Sequence, residues 1–292
     1  MKKIIWGIVA FIIPLQIIIN LLGLVPFGLQ LYVSFTNWSP IFGEWYNAKF
    51  IGLSNYIFLF NDGLLISAFV RTLILTVCCL VVEFFLGLSL ALLCEGEFKG
   101  KTFFRSIFML PIMIVPVVAG WMFYLLFLSD GPINAIISYI VGHSFNISWL
   151  TNTDTALIVI SLAEIWQWTP FIFIIILAGL MSIPTEPIEA AIVDGADSFS
   201  ILRHIKIPLL KRYILVALVL RMIDLIKLFD VPWILTRGGP GYSTQTFSIY
   251  IYQQAFLYGK LSYSAAISTF LWIIFAFLGW YFTKPLRGGE RY

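Results

Sequence analysis

The stretch Glu189-Ala190-Ala191-Ile192-Val193-Asp194-Gly195-Ala196, followed by Ile205-Lys206-Ile207-Pro208, is a short polar segment in a strongly apolar chain. An apolar run at about 155–181 precedes it and another at about 213–235 follows it, and a bilayer core of about 30 Å needs roughly 20 apolar residues in a helix. The stretch is therefore predicted to be a loop between two membrane spans. The rest of the chain can be divided by the same criterion.

The composition excludes an ordinary soluble domain. Of the 292 residues, 60% are hydrophobic and only 11% are charged, whereas a soluble domain carries about 25% charged residues. Because unpaired backbone groups are too costly in lipid, apolar spans of this length must be helical. We therefore expect an all-α membrane protein with a single transmembrane domain over residues 1–292.

Six stretches are long and apolar enough to span a bilayer. They lie at about 8–34, 68–93, 104–128, 155–181, 213–235 and 264–283. The first is longer than one straight span and contains Pro14 and Gly23, so we expect a tilt or a kink there. It lacks a small-residue cleavage site, which favours a retained first span over a removed signal peptide.

The distribution of basic residues predicts the orientation, since cytoplasmic loops are enriched in Lys and Arg. If the chain crosses the membrane six times, the following basic residues lie on one side: Lys2, Lys3, Lys99, Lys101, Arg105, Arg203, Lys206, Lys211, Arg212, Lys284, Arg287 and Arg291. Four others lie on or near the opposite side: Lys49, Arg71, Arg237 and Lys260. This asymmetry predicts that both termini and the Glu189 loop are cytoplasmic.

The loop at 182–212 has the local signals of a short helix. Pro184 is predicted to end the preceding span, and Thr185 or Glu186 to cap a new helix that Gly195 ends. The residues expected to pack back onto the bundle are Phe199, Ile201, Leu202 and Ile205. From these residues alone, two readings stand: a helix offered to a soluble partner, or an ordinary amphipathic helix lying on the membrane.

The loop also resembles a known family. Glu-Ala-Ala at 189–191, Asp-Gly-Ala at 194–196 and the distal Pro208 have the spacing of the coupling loop in ABC-importer permeases. Further resemblances are Trp168-Thr169-Pro170-Phe171 and Leu235-Thr236-Arg237-Gly238-Gly239-Pro240. Together they resemble the maltose and glycerol-3-phosphate type permeases of carbohydrate importers, although Arg237 stands where that family frequently has glycine.

The resemblance implies a non-enzymatic transport subunit of the cytoplasmic (inner) membrane in a prokaryote. The implied partners are a second homologous permease, two ABC ATPase subunits that dock on the 186–208 loop, an extracytoplasmic sugar-binding protein and a carbohydrate substrate. ATP and Mg would be bound by the ATPases and not by this chain, and no nucleic-acid partner is expected. The implied ATPase-coupling residues are Glu189, Ala190, Ala191, Asp194, Gly195, Ala196 and Pro208.

The fifth predicted span carries four charges at a spacing of three residues: Arg221, Asp224, Lys227 and Asp230. Each charge at mid-membrane costs roughly 2.5–3.5 kcal/mol, so this helix is not expected to face lipid alone. One hypothesis is a neutralised structural ladder with pairing at i,i+3. The other is a polar lining of the translocation path, for which Lys227 and Asp230 are the strongest candidates.

Two further acids lie in predicted spans. Glu83 is in the second, and Glu164 is one turn before Trp168 in the fourth. An acid near an aromatic ring is a candidate sugar site, so Glu164, Trp168, Asp224, Lys227 and Asp230 form the candidate substrate path. Glu164 is equally a candidate ion-pair partner of Arg221 or Lys227.

Several catalytic and nucleotide motifs are missing from the sequence. The stretch Gly96–Thr102 resembles a phosphate loop, but the required first glycine is replaced by Glu95. The two histidines, His143 and His204, are isolated in loops, and no catalytic, cofactor-binding or metal-binding residue is predicted. The alternative function is a self-sufficient secondary carrier or channel that uses the charges of the fifth span, and a third is a membrane anchor for a soluble enzyme.

Overall fold

A computed structural model describes residues 12–287, so Lys2, Lys3 and Arg291 of the charge count lie outside the described residues. Within 12–287 the chain is helical, with no β-strand and only an isolated antiparallel bridge between Thr36 and Phe50. The predicted all-α class is confirmed. The helices are α1 (Ile12–Ser34), α2 (Ser54–Asn61), α3 (Gly63–Glu95), α4 (Lys101–Met109), α5 (Pro116–Leu126), α6 (Pro132–Val141), α7 (Thr153–Met181), α8 (Glu186–Val193), α9 (Ser198–Ile201), α10 (Ile207–Ile226), α11 (Asp230–Thr236), α12 (Phe247–Tyr252) and α13 (Leu261–Arg287).

Three of the described helices are long and apolar enough to cross a membrane: α1, α3 and α7. Their bounds are close to the predicted stretches at 8–34, 68–93 and 155–181. The expected irregularity of the first stretch takes the form of a π-helical turn at Asn20–Leu24. No residue in the 18-residue apolar window of α1 is buried within the chain, as expected for a helix that is apolar on all sides and surrounded by lipid.

The third and fifth predicted stretches are interrupted helices. Between α4 and α5, a single 3-10 turn at Pro111–Met113 separates the two halves, because Pro111 and Pro116 each lack an N–H and disfavour a helical residue before them. Between α10 and α11, the helix ends at Ile226. The prediction of one continuous fifth helix at 213–235 is therefore wrong in this detail.

Polar side chains satisfy the backbone at both interruptions. The carbonyl of Ile114 accepts a hydrogen bond from Gln167 Nε2 of α7 at 2.7 Å. The carbonyl of Leu228 accepts one from Thr246 Oγ1 at 2.9 Å. Because a free carbonyl is costly away from water, these two contacts allow irregular backbone at the interruptions.

The chain divides into two compact units. The first contains the described residues up to Ile66 together with Tyr250–Thr283. In this unit Asp62 is a polar centre: its Oδ1 accepts from the backbone N–H of Leu64 at 3.1 Å and of Leu65 at 3.2 Å. Its Oδ2 accepts from the hydroxyls of Tyr250 and Tyr263. Asp62 thus caps the start of α3 and joins three separate parts of the unit.

The second unit, Ser67–Ile249, is built around α7. The N-terminal half of α7 buries Val159 and Ile160 in one apolar cluster. Its C-terminal half buries Ile172 and Phe173 in a second cluster, which includes Leu210 of α10. This helix therefore holds α3 and α10 in place, and it connects the two ends of the unit.

Candidate functional site: a coupling loop and a buried charge cluster

The short helix α8, Glu186–Val193, forms where the sequence predicted it. Thr185 precedes its first turn, and Pro187 lies within that turn, where a missing N–H is harmless. Glu186 and Glu189 are in the first turn, where a negative charge interacts favourably with the helix dipole. The side chain of Glu189 is exposed, so the loop presents a carboxylate to a potential partner.

The Asp-Gly-Ala segment is the structural end of α8. Gly195 has φ +81°, a left-handed conformation that glycine adopts without strain. Its N–H donates to Ile192 O at 3.0 Å, and the N–H of Ala196 donates to Ala191 O at 2.9 Å. These two bonds form a Schellman motif, so Asp194, Gly195 and Ala196 define the direction in which the chain leaves the helix.

The loop exposes apolar side chains. Val193 is 86% exposed, Phe199 66% and Ile192 58%. The prediction that Phe199 packs back onto the bundle is wrong, whereas Ile201 is buried as expected. A row of exposed apolar groups beside a carboxylate is typical of a surface that a protein partner covers.

An ion pair attaches the loop to the end of α3. Lys206 Nζ lies 2.6 Å from Glu95 Oε2, and both side chains are about three-quarters buried or more. Lys206 closes a π-helical turn, Leu202–Lys206, and Pro208 then occupies the first turn of α10. The contact fixes the distal end of the loop relative to the end of α3.

A buried cluster of three charges occupies the middle of the second unit. The Arg221 Nε and Nη2 donate to the two oxygens of Glu83 at 2.7 and 2.9 Å, and Nη2 also donates to Glu164 Oε2 at 2.7 Å. The guanidinium carbon lies 4.8 Å from the centre of the Trp168 ring. One cation from α10 thereby joins an acid of α3 and an acid of α7, with one bidentate contact and one cation–π contact.

The four charges of the predicted ladder do not share one environment. Arg221 is 1% exposed, whereas Asp224, Lys227 and Asp230 are exposed, and the last two lie beyond the end of α10. The hypothesis of i,i+3 pairing is wrong for Arg221, because the carboxylates that bind it come from other helices. Glu164 pairs with Arg221, which was one of the two partners considered for it.

Three polar residues that organise the second unit were not among the predicted site residues: Gln167, Thr246 and Asn134. Asn134 is 3% exposed, and its side-chain amide donates hydrogen bonds to the loop carbonyls of Ser129 and Ile147. Gln167 had a signal in the sequence, since polar side chains inside an apolar stretch are rarely incidental. In the described part of the chain, no group of His, Cys, Asp or Glu is arranged to hold a metal ion.

Comparison with known proteins places the chain among transport components. Residues 83–283 match the family described as binding-protein-dependent transport system inner membrane component. A probable ABC transporter permease of Pyrococcus horikoshii is 32% identical, with 97% of each chain covered. The multiple sugar-binding transport system permease protein of Streptococcus mutans is 33% identical, covering 92% of this chain and 91% of that one.

A solved structure has the same fold. It belongs to a bacterial ABC transporter involved in the import of the acidic polysaccharide alginate. The TM-score is 0.84, with 99% of this chain and 98% of that chain covered and 23% sequence identity. At this identity the match supports the fold of the described helices and nothing about the ligand.

Proposed function

The chain belongs to the family of binding-protein-dependent transport system inner membrane components, and from this premise we propose that it is one permease subunit of a sugar importer. Such a component is a transport subunit and not an enzyme, so the energy comes from elsewhere. We infer that separate ABC ATPase subunits bind ATP and Mg and supply it. The observation that carries the proposal is the exposed α8 loop on a membrane chain of this family.

The proposed topology has six spans with both termini in the cytoplasm. α1, α3, α7 and α13 each cross as one helix, while the third and fifth spans are the interrupted pairs α4–α5 and α10–α11. The Glu95–Lys206 contact supports this arrangement, because it joins the end of the second span to the start of the fifth on one side. The excess of Lys and Arg on that side supports a cytoplasmic location.

The ATPase partner is proposed to dock on residues 186–208. Ile192, Val193 and Phe199 provide an apolar contact area, and Glu189 provides a charge at its edge. Ala190 and Ala191 have small side chains, which let a partner approach the α8 backbone closely. The Schellman motif at Gly195 keeps the helix short and fixes its exit, so a movement of the ATPase is transmitted to α10 through Pro208.

The substrate is proposed to be a sugar, because a relative that matches nearly the whole chain is named for sugar transport. The exposed charges of Asp224, Lys227 and Asp230 are proposed to face the path, which a second homologous permease completes. Glu164 and Trp168 are proposed to lie behind that lining and not on the path surface itself, since both contact the buried Arg221 guanidinium. An extracytoplasmic binding protein would deliver the sugar, as the family description implies.

The docking surface can be tested with Val193→Ser in the importer assembled from this chain, its second permease and the ATPases. We expect weaker ATPase binding, by about tenfold for the loss of a well-covered apolar side chain, and a proportional loss of uptake. Tyr139→Ser is the matched control, because Tyr139 is 90% exposed in α6, away from the loop. Equal ATPase affinity in the two variants would contradict docking on α8.

A further inference from the structure

A second concave site lies at the opposite end of α7 from the α8 loop. It is a cavity of about 460 Å³ at the start of α7, within the range of about 300–1,000 Å³ that small-ligand pockets occupy. Its walls include Trp121, Tyr124, Trp149, Ser129, Ser148 and Arg237. α7 has 29 residues, so this cavity and the coupling loop are separated by about 40 Å along its axis.

The aromatic wall of the cavity is held in place before any ligand arrives. Trp149 Nε1 donates to Asn134 Oδ1 at 2.9 Å, and the Trp149 ring meets Phe127 edge to face at 5.6 Å. Trp121 and Tyr124 form a similar pair, with centroids 5.3 Å apart. Because the ring orientations are already fixed, a ligand that stacks on them loses little conformational freedom of the protein.

Polar groups line the same cavity. The hydroxyls of Ser129 and Ser148 lie 3.3 Å apart, and each can both donate and accept hydrogen bonds. Arg237 adds a cation at the rim, where its side chain is exposed. A mixture of aromatic faces, hydroxyls and a guanidinium matches a pyranose ring, which has an apolar C–H face and a hydroxyl-rich edge.

The backbone at Arg237 is unusual. Arg237 closes α11 with φ 52° and ψ 26°, a left-handed conformation that glycine adopts more easily than arginine. The following backbone is held by a bond from Thr244 Oγ1 to Gly239 O at 2.7 Å. The turn thereby positions the exposed Arg237 side chain among the residues that line the cavity.

We propose that this cavity is a carbohydrate-binding subsite on the extracytoplasmic side, with Trp121 as a stacking surface and Arg237 as a specificity residue that donates to the sugar. The proposal rests on the proposed function. The subsite would hold the saccharide after its release by the binding protein and before its passage through the membrane. Its ligand chemistry differs from that of the Arg221 cluster, whose charged groups already bind one another.

The experiment uses the assembled importer in nanodiscs without the binding protein. Trehalose, maltotriose and trigalacturonate are first tested for uptake with the binding protein present, and a saccharide that the wild type imports becomes the probe. Binding of that probe is then measured by saturation-transfer NMR. We expect Trp121→Ala to weaken probe binding by roughly three- to tenfold and Arg237→Gly by about fivefold or more.

Two controls separate the outcomes. Trp272→Ala removes a tryptophan that is also 53% exposed but lies outside the cavity, and it should leave probe binding unchanged. Arg237→Gly suits the left-handed backbone, and thermal unfolding of this variant separates a loss of binding from a loss of folding. Unchanged probe affinity in both cavity variants would overturn the proposal. It would also be overturned if the variants bound only the sugar-free binding protein more weakly, because that result would indicate a protein-docking surface. Absence of uptake of every saccharide by the wild type would instead contradict the proposed function.

Discussion

Arg221 is 1% exposed, yet it carries a full charge among apolar helices. Its guanidinium is acceptable there because two carboxylates and an aromatic face surround it. Removing one partner of a buried ion pair leaves the others uncompensated, and that costs more than the pair itself contributes. The role of Arg221 is therefore to join α3, α7 and α10.

The first prediction concerns this residue. Arg221→Ala should destabilise the subunit by about 3–5 kcal/mol, because two acids are left without their cation. Thermal unfolding in detergent measures the effect, and Arg212→Ala on the exposed face of the same helix is the control. A triple variant, Glu83→Gln with Glu164→Gln and Arg221→Met, should recover part of the loss, and no recovery would count against the electrostatic explanation.

Asp62 gives a pH-dependent prediction. Burial raises the pKa of this carboxyl, but bonds from Tyr250, Tyr263 and the N–H groups of Leu64 and Leu65 together outweigh it and lower the pKa below its ordinary value. A lowered pKa in the folded state contributes stability above the unfolded pKa, and that contribution is lost as the pH falls through the folded value. Stability should therefore fall below about pH 4.

The control for this prediction is Asp62→Asn, which keeps the shape of the side chain and removes its titration. Unfolding of the wild type and the variant is compared from pH 3 to pH 7. The variant should be less stable at pH 7 and should show a smaller decline on acidification. An identical decline in both proteins would show that other carboxylates dominate.

At the scale of elements, glycine sets how closely the helices pack. A Cβ on Gly179 of α7 would lie 2.7 Å from Tyr213 Cγ and 2.8 Å from Leu210 Cδ2 of α10. These are closer than non-bonded carbon atoms approach. Small residues at helix crossings allow the backbones to come together, which is a major source of stability between membrane helices.

Gly179→Ala should therefore destabilise the subunit by about 1–3 kcal/mol, the usual effect of adding a methyl group to a packed interface. Gly28→Ala in α1 is the matched control, because nothing lies within 4 Å of its added methyl group and alanine favours a helix. Thermal unfolding of both variants tests the difference. Equal stability of the two would mean that α7 and α10 adjust without strain.

The Lys206–Glu95 contact links two elements and predicts a coupling phenotype. Lys206→Met should loosen the α8 loop from α3, so that ATP hydrolysis continues while uptake per ATP falls about two- to fivefold, the range expected for a partly buried pair. The swapped pair Glu95→Lys with Lys206→Glu should restore coupling. Lys211→Met, at an exposed position, is the control, and a similar loss there would argue against a specific contact.

At the scale of the whole molecule, the question is whether the chain transports alone. The alternative of a self-sufficient carrier requires the charged residues of the fifth span to take part in transport, but Arg221 is already bound to two acids. We expect no saccharide uptake by liposomes that contain only this chain, and ATP-dependent uptake once the second permease, the ATPases and the binding protein are added. Uptake by the chain alone would support the carrier.

Local sequence patterns were sufficient for the class of protein and for the short helix of the 186–208 loop. Apolar runs of span length dictate membrane helices because lipid leaves the backbone no other partner. The bounds of α8 also follow from nearby residues, since Pro187 and Gly195 act on the backbone within one turn. These features depend on neighbours in the chain, so a single sequence contains them.

The pairing of Arg221 required the folded chain. Its acids lie 57 and 138 residues away, and spacing along one helix favoured the wrong partner, Asp224. The interruption before Asp230 depends likewise on Thr246, 18 residues from the carbonyl that it satisfies. Periodicity within a helix indicates which face a residue occupies. Which groups meet across helices is determined by packing, because desolvated charges and free carbonyls find their partners on neighbouring segments of the folded chain.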